Sequence, residues 1–285
     1  MMDIEAFIKA YIDGGNIIKT GLVGFAGCGI AGYKINDDCA VTLSDHKATG
    51  IVIKNCVSIP FKFDSSASSD SIRINNCKLK DLKCFDSHVD ELRLYRNSLK
   101  SLSGLPSFRT LQIKECNISD FSALHNIYKA DNILIEMTDI PDIKMFNDKL
   151  RSFTLILSDC KLKGHIDIPF NVKTYVCLEE NEITSLSMKY SVSSLNLINN
   201  NIESLDCLDI DWSNIVNIAL NDNPLKDIDR IFKEYEKGNL RNLNTFTFNN
   251  NLLFDSDLKK LYNIRDKTHI NIIDNNPRWE AEFVK

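Results

Sequence analysis

The sequence predicts a solenoid, in which short parallel strands stack edge to edge and the chain returns behind each one. Three observations predict it. One spacing of apolar residues recurs along most of the chain, one small polar or thiol side chain stands at a fixed place in each copy, and the copies follow at nearly constant intervals. The pattern is plainest at residues 195–205, where Leu195, Leu197, Ile202 and Leu205 frame Asn200. Copies start at residues 51, 72, 92, 111, 133, 155, 176, 195, 218, 246 and 270, so the interval runs from 19 to 28 residues. Ten of these eleven copies carry Asn or Cys at the sixth position, and the eleventh carries Thr138.

The chemistry of the pattern follows from its spacing. The first and third positions alternate with their neighbours, so both leave a strand on the same face. One repeat cannot bury that face alone, and stacking the repeats makes a continuous core. The sixth residue turns inward where the chain leaves the strand. There Asn offers a donor and an acceptor to backbone groups that would otherwise be buried unpaired. Cys tolerates burial and is a weak donor, and the Thr138 hydroxyl can substitute. The expected ladder is Cys77, Asn97, Cys116, Thr138, Cys160, Asn181, Asn200 and Asn223.

This spacing resembles the leucine-rich repeat, L-x-x-L-x-L-x-x-N/C-x-L, over roughly residues 48–278. The resemblance implies an α/β solenoid with about eleven parallel strands on a concave face. Repeats this short leave little room for long helices, so the convex side should be mostly turns, short extended pieces and single 3₁₀ turns. Residues 118–124, Ile118-Ser119-Asp120-Phe121-Ser122-Ala123-Leu124, are similar to the internalin-type run of bacterial 22-residue repeats. The last repeats are longer. Ile228, Ile231, Phe232 and Tyr235 have helical spacing with Gly238 just beyond, and Leu258, Leu261 and Tyr262 repeat the pattern behind Asp255, Ser256 or Asp257 as a cap. The convex side should therefore be helical at the C-terminal end. Residues 276–285, with Trp279 and Phe283 after Asn276-Pro277, resemble a C-terminal cap of such proteins.

Residues 1–50 lie outside the repeat and hold eight of the eleven glycines. Ile4, Phe7, Ile8, Tyr11 and Ile12 form the apolar stripe of an amphipathic helix with Asp3 as its cap, and this helix is the candidate for covering the raw end of the first repeat. Gly27-Cys28-Gly29-Ile30-Ala31-Gly32 is a formal G-x-G-x-x-G. A dinucleotide site needs a strand before it, a helix after it and an acid about 20 residues on. The sequel from Tyr33 to Asp38 does not read as a helix, so tight turns or close packing in the cap is the preferred reading, and no cofactor is expected.

The composition is ordinary for a soluble protein, with 44% apolar and 26% charged residues among 285. A net charge of −5 offers no basic footprint for nucleic acid. No apolar run approaches the ~18 residues of a membrane span. Residues 1–10 lack the basic start and apolar core of a secretory signal, so cytoplasmic residence is the expectation, in a host cell if the protein is viral or an effector. Nine cysteines without a C-x-x-C pair, in an odd number, support neither a disulfide framework nor a zinc site.

The five histidines share no register and no catalytic motif occurs, so the chain reads as non-enzymatic. Function should sit on the outward strand residues, taken at the second, fourth and fifth repeat positions. Lys54, Arg73, Arg93, Tyr95, Arg96 and Lys114 come first, followed by Glu136, Met137, Asp159, Glu179 and Glu180, with Leu134, Ile156 and Cys177 as exposed apolar surface between them. Segregated charge around an Arg- and Tyr-rich patch suits a protein partner, bound by an inhibitor, effector or adaptor. The other reading is a structural or surface component of a virion or cell-surface assembly.

Overall fold

The computed structural model describes residues 18–22, 29–36, 39–45, 50–54, 71–85, 88–249 and 251–273; before residue 71 it describes the backbone and the Ile53 side chain. The chain is a parallel β-solenoid that divides into two compact units, Met1–Asp139 with Lys144–Leu150, and Ile140–Ile143 with Arg151–Lys285.

In the first unit, strands Gly50–Lys54, Ser71–Asn75, Val89–Tyr95, Phe108–Lys114 and Asn132–Glu136 pair in parallel. Their register aligns the repeat. Ile51, Ile72, Leu92, Leu111 and Ile133 stand opposite one another, as do Ile53, Ile74, Leu94, Ile113 and Ile135. From Ile53 onward every described member of these two rows is at most 1% exposed. Each such side chain contributes about 1.5–3 kcal/mol by leaving water, which is why the rows are apolar without exception.

The sheet continues before the repeats in the opposite sense. Ile18–Leu22, Gly29–Asn36 and Cys39–Asp45 form an antiparallel meander that pairs onto Gly50–Lys54. Gly29 and Gly32 of the glycine-rich stretch therefore lie inside a strand whose next described neighbour is another strand. The helix expected at residues 3–12 and the cap expected at residues 276–285 lie outside the described residues.

In the second unit, Arg151–Ser158, Asn171–Cys177, Ser194–Asn196, Asn217–Ala219, Thr245–Thr247 and Asn271–Ile273 pair in parallel. Leu155, Val176, Leu195, Ile218, Phe246 and Ile272 share one row, so the register starts the last copy at residue 272 and not at 270, and Phe246 packs on Phe248 at 5.1 Å between ring centres. The return side holds single 3₁₀ turns such as Leu205–Cys207, as expected, but also two longer strands. Lys163–Ile168 and Glu182–Met188 pair in parallel because Ile166 and Ile168, like Leu186 and Met188, alternate inward between polar neighbours, with a register shift before them.

The last repeats return through helices, at Asp229–Glu236 and Asp255–Lys267. Gly238 ends the first with φ of +73°, and the Asn239 N–H closes back on the Glu234 carbonyl at 2.9 Å. Glu234 is buried on this helix with Arg230 and Lys237 at 2.8 and 2.9 Å. Burial works to raise its pKa, but hydrogen bonds from Asn239 and Lys237 and the two cations outweigh that and hold it below the usual carboxylate range. The second helix departs from expectation at its start. Phe254 is the capping residue and makes no side-chain cap bond, while Asp255 and Asp257 sit inside the first turn where they face the positive end of the helix.

The ladder takes the form the repeat requires. Asn181 is the fullest rung. Its Oδ1 accepts from the Cys160 and Leu162 N–H groups at 3.1 and 3.0 Å, and its Nδ2 donates to the carbonyls of Leu157, Leu178 and Glu179. Asn200 and Asn223 repeat this, serving the N–H groups of Ile183 and Ile202 and the carbonyls of Leu178 and Leu197 one repeat back. In the first unit Asn97 serves the Cys77 N–H and the Ile74 carbonyl, and the Thr138 hydroxyl accepts from the Cys116 N–H. The thiols donate: Cys77 to the Asn75 carbonyl, and Cys116 to those of Leu94 and Lys114.

The residue before each rung carries a feature that spacing does not announce. Asn76, Arg96, Glu115, Met137, Asp159, Glu180, Asn199 and Asp222 all have φ between 48° and 58°. The fifth position is thus a left-handed turn residue that ends the strand and swings the sixth side chain inward. This corrects its assignment to the outward strand face. The conformation costs about 1–2 kcal/mol for a residue with a Cβ, and the ladder bonds offset it.

Two outcomes follow. Asn181→Leu leaves the Cys160 and Leu162 N–H groups without a partner and should cost about 1–3 kcal/mol in urea denaturation; an unchanged midpoint would remove the ladder from this account. Gly104 has φ of +85°, and a Cβ there would lie 2.5 Å from the Lys83 nitrogen of the preceding repeat. Gly104→Ala should therefore destabilise the chain by roughly 2 kcal/mol or more, since left-handed strain and overlap with backbone add. A melting curve that superimposes on the wild type would contradict that packing.

Candidate functional site

The parity that buries the first and third positions turns the second and fourth outward, and also the residue preceding the first. That preceding position was absent from the sequence-derived set because the repeat template begins at its first leucine. Extending the alternation back by one residue finds it, and it supplies Glu91 in the first unit and Tyr175 in the second.

In the first unit the outward face is built of ion pairs. Arg93 reaches Glu91 at 2.6 Å, and Ser71 donates to the other Glu91 oxygen at 3.2 Å. Arg96 reaches Glu115 at 2.7 Å from the adjacent repeat, and its guanidinium lies 4.8 Å from the centre of the Tyr95 ring. The Tyr95 hydroxyl donates to the second Glu115 oxygen at 3.1 Å. Lys114 pairs with Glu136 at 3.6 Å. The basic residues expected to form a bare patch are thus interleaved with Glu91, Glu115 and Glu136. The exception is Arg73, in register with Arg93, exposed, and without an ion-pair partner among the described residues. Lys54 ends the strand paired with Ser71–Asn75, and its side chain lies outside the described residues.

Glu115 is the hub of this cluster. The Arg96 hydrogen bond holds its carboxyl below the usual carboxylate range, against a smaller opposing effect of burial, and the Tyr95 hydroxyl adds to the lowering. Arg96 is correspondingly raised by Glu115. Beside them Met137 is 50% exposed at its left-handed turn. It lines a shallow depression of about 390 Å³ with Glu115, Cys116, Asn117, Ile118 and Asp139. Leu134 is half-buried on the strand itself rather than freely exposed.

The second unit's outward face is a polar cluster around a residue expected to be exposed. Cys177 is 2% exposed, because Tyr175, Glu179 and Asn196 close over it. Asn196 Nδ2 lies 2.7 Å from a Glu179 oxygen, 3.4 Å from the Cys177 sulfur and 3.5 Å from the Tyr175 hydroxyl, and Ser158 donates to the other Glu179 oxygen at 3.4 Å. Burial pushes the Cys177 thiol up and the Tyr175 phenol up to about 12. Ile156 is half-buried here. Asp159 and Glu180 occupy left-handed turn positions, so of the acidic residues expected on this face only Glu179 stands on it; Glu180 is exposed at its turn.

Chemically these groups hold one another. On the return side His165 contacts Ser185 at 2.9 Å and Ser187 at 3.5 Å, and Ser187 donates to Asp167 at 2.8 Å, so among the described residues no carboxylate bonds the imidazole directly. Among the described residues no three His, Cys, Asp or Glu converge on a point that could hold a metal ion. No helix there is long and apolar enough to cross a membrane. Comparison with known proteins returns no relative: no family model, no curated protein and no solved structure matches the chain.

The Glu115 hub has a pH signature. A depressed carboxylate contributes stability above its unfolded pKa and loses it as pH falls through the folded value. In Arg96→Gln the largest cause of the depression is gone, so the Glu115 titration midpoint, followed by carbon NMR, should rise toward the ordinary range. The remaining Tyr95 hydrogen bond should keep the rise incomplete. An unmoved midpoint would mean that Arg96 does not hold this carboxylate in solution.

Proposed function

We propose that the chain is a leucine-rich repeat of about eleven strands that binds a protein partner through its outward strand face, without enzymatic activity, as a cytoplasmic inhibitor, effector or adaptor. The observation that carries this reading is the Tyr95–Arg96–Glu115 cluster with Arg73 beside it. Tyr and Arg are the side chains that dominate binding energy in protein interfaces. Here the ring is stacked, its hydroxyl is bonded, and both sit at the edge of a rigid sheet, so little side-chain freedom is lost on binding. Arg73, unpaired among the described residues, offers a cation to a carboxylate of the partner, and Met137 offers an adaptable apolar contact. In the second unit Glu179 on the face and the exposed Glu180 beside it present carboxylates to partner cations.

Arg73→Glu and Tyr95→Ala test this without breaking an existing ion pair at Arg93 or Arg96. Partners recovered with the wild-type chain by affinity purification and mass spectrometry would be purified and their kinetics measured. Tyr95→Ala should speed dissociation about tenfold, the effect of losing a hot-spot residue. Arg73→Glu should slow association, and the slowing should shrink as salt is added. Every partner binding both variants as it binds the wild type would place the interface elsewhere.

A further inference from the structure

The first unit has a second sheet, on the flank where the chain turns away from the main strands. Lys78–Leu79, Ser98–Leu99 and Asn117–Ile118 pair in parallel, with Lys78, Ser98 and Asn117 in one row and Leu79, Leu99 and Ile118 in the next. The second row is buried, so the residues on either side of it face out. Lys78, Lys80, Lys100, Ser98, Asn117 and Ser119 are all exposed. The Lys100 N–H donates to the Leu79 carbonyl and the Ser101 N–H to that of Lys80, so Lys80 and Lys100 continue the register side by side, about 4.8 Å apart.

Like charges directly opposite one another destabilise a sheet. Elsewhere on the return side two lysines are paired across repeats, Lys163 with Glu182 at 3.0 Å and Lys226 with Glu203 at 3.2 Å. Lys78, Lys80, Lys100 and the nearby exposed Lys83 have no ion-pair partner among the described residues. The adjacent carboxylates are engaged in holding turns. Asp81 accepts from the Lys83 N–H, and Asp120 accepts from Ser101 and from the Ser122 N–H, bonds that lower its pKa.

We propose that this flank sheet is a docking surface for an extended acidic segment of a protein, separate from the outward strand face. Lys78 and Lys80 lie about 6.6 Å apart along the strand, the spacing of alternate side chains in an extended peptide, so Asp or Glu at every second residue would meet them in register. Lys100 supplies a third cation across the row, and Ser98 and Asn117 supply hydrogen bonds. A nucleic acid fits less well. The flank offers no aromatic platform for bases and no arginine fork, it falls short of the ~6–10 phosphate contacts of a typical duplex binder, and the chain's net charge of −5 repels a long polyanion.

The test uses the full chain and a fluorescein-labelled peptide of alternating Glu and Thr, with a Gln–Thr peptide and a single-stranded oligothymidylate as the other arms. Anisotropy at low salt should show binding of the Glu–Thr peptide alone, weakening as salt rises. Lys80→Gln with Lys100→Gln should weaken it about tenfold. The double variant should melt no lower than the wild type, because it removes a like-charge pair, and Lys100→Gln alone should act in the same sense with a smaller fold-change. No binding of the Glu–Thr peptide, equal binding by the lysine variants, or tighter binding of the oligothymidylate would overturn the proposal.

Discussion

The constraint on which the rest depends is the satisfaction of backbone groups at the point where each strand ends. There the chain must leave the strand inside a packed core, where an unpaired N–H or carbonyl costs about 1–3 kcal/mol. The sixth side chain meets that demand from within. Asn181, Asn200 and Asn223 each bond an N–H in a preceding repeat and carbonyls on both sides, so one amide stitches two turns of the solenoid. The left-handed residue at the fifth position is the geometric counterpart. Without φ near +50° the sixth side chain would point outward, and without the ladder bonds nothing would hold Arg96 or Met137 in a conformation their Cβ atoms resist.

The two units meet this demand with different chemistry. The described rungs of the second unit are an asparagine series headed by Cys160, whereas those of the first alternate Cys77, Asn97, Cys116 and Thr138. A thiol donates weakly and a hydroxyl has no second donor. Burial raises the Cys116 pKa, so the sulfur keeps the proton that it donates to the Leu94 carbonyl, and it also accepts from the Asn97 N–H at 3.4 Å. A buried thiolate would lose that donor and place an uncompensated charge in the core. The rung therefore depends on the thiol staying neutral, which its surroundings enforce.

Because the ladder sets register, it also sets what the surfaces can do. Outward side chains repeat every 4.8 Å or so across the sheet, close enough for each charge to find a partner one repeat away. Most do so: Arg96 with Glu115, Lys114 with Glu136, Lys163 with Glu182. Exposed pairs of this kind contribute little to stability, ~0–1 kcal/mol each, but they fix side-chain geometry. Against that background Arg73 and the lysines of the flank sheet stand among the described cations that find no such partner, and the two binding proposals rest on them.

The sequence by itself determined the strand repeat, the buried rows and the ladder. These depend on period two and on one small hydrogen-bonding residue per turn, both of which are local and readable. It also announced the C-terminal helices through the spacing of Ile231, Leu258 and Leu261. Tertiary structure alone decided the rest. The left-handed fifth residue leaves no compositional mark, since Asn, Arg, Glu, Met and Asp all occupy it. The burial of Cys177 depends on Tyr175 and Glu179 of its own repeat and on Asn196 of the next closing over it, which no single-repeat template contains. The neutralisation of Arg93 by Glu91, and of Arg96 by Glu115, depends on which residues meet along and across the sheet. A period shows which way a side chain points, but its partners are set by register, and register exists only once the repeats are stacked.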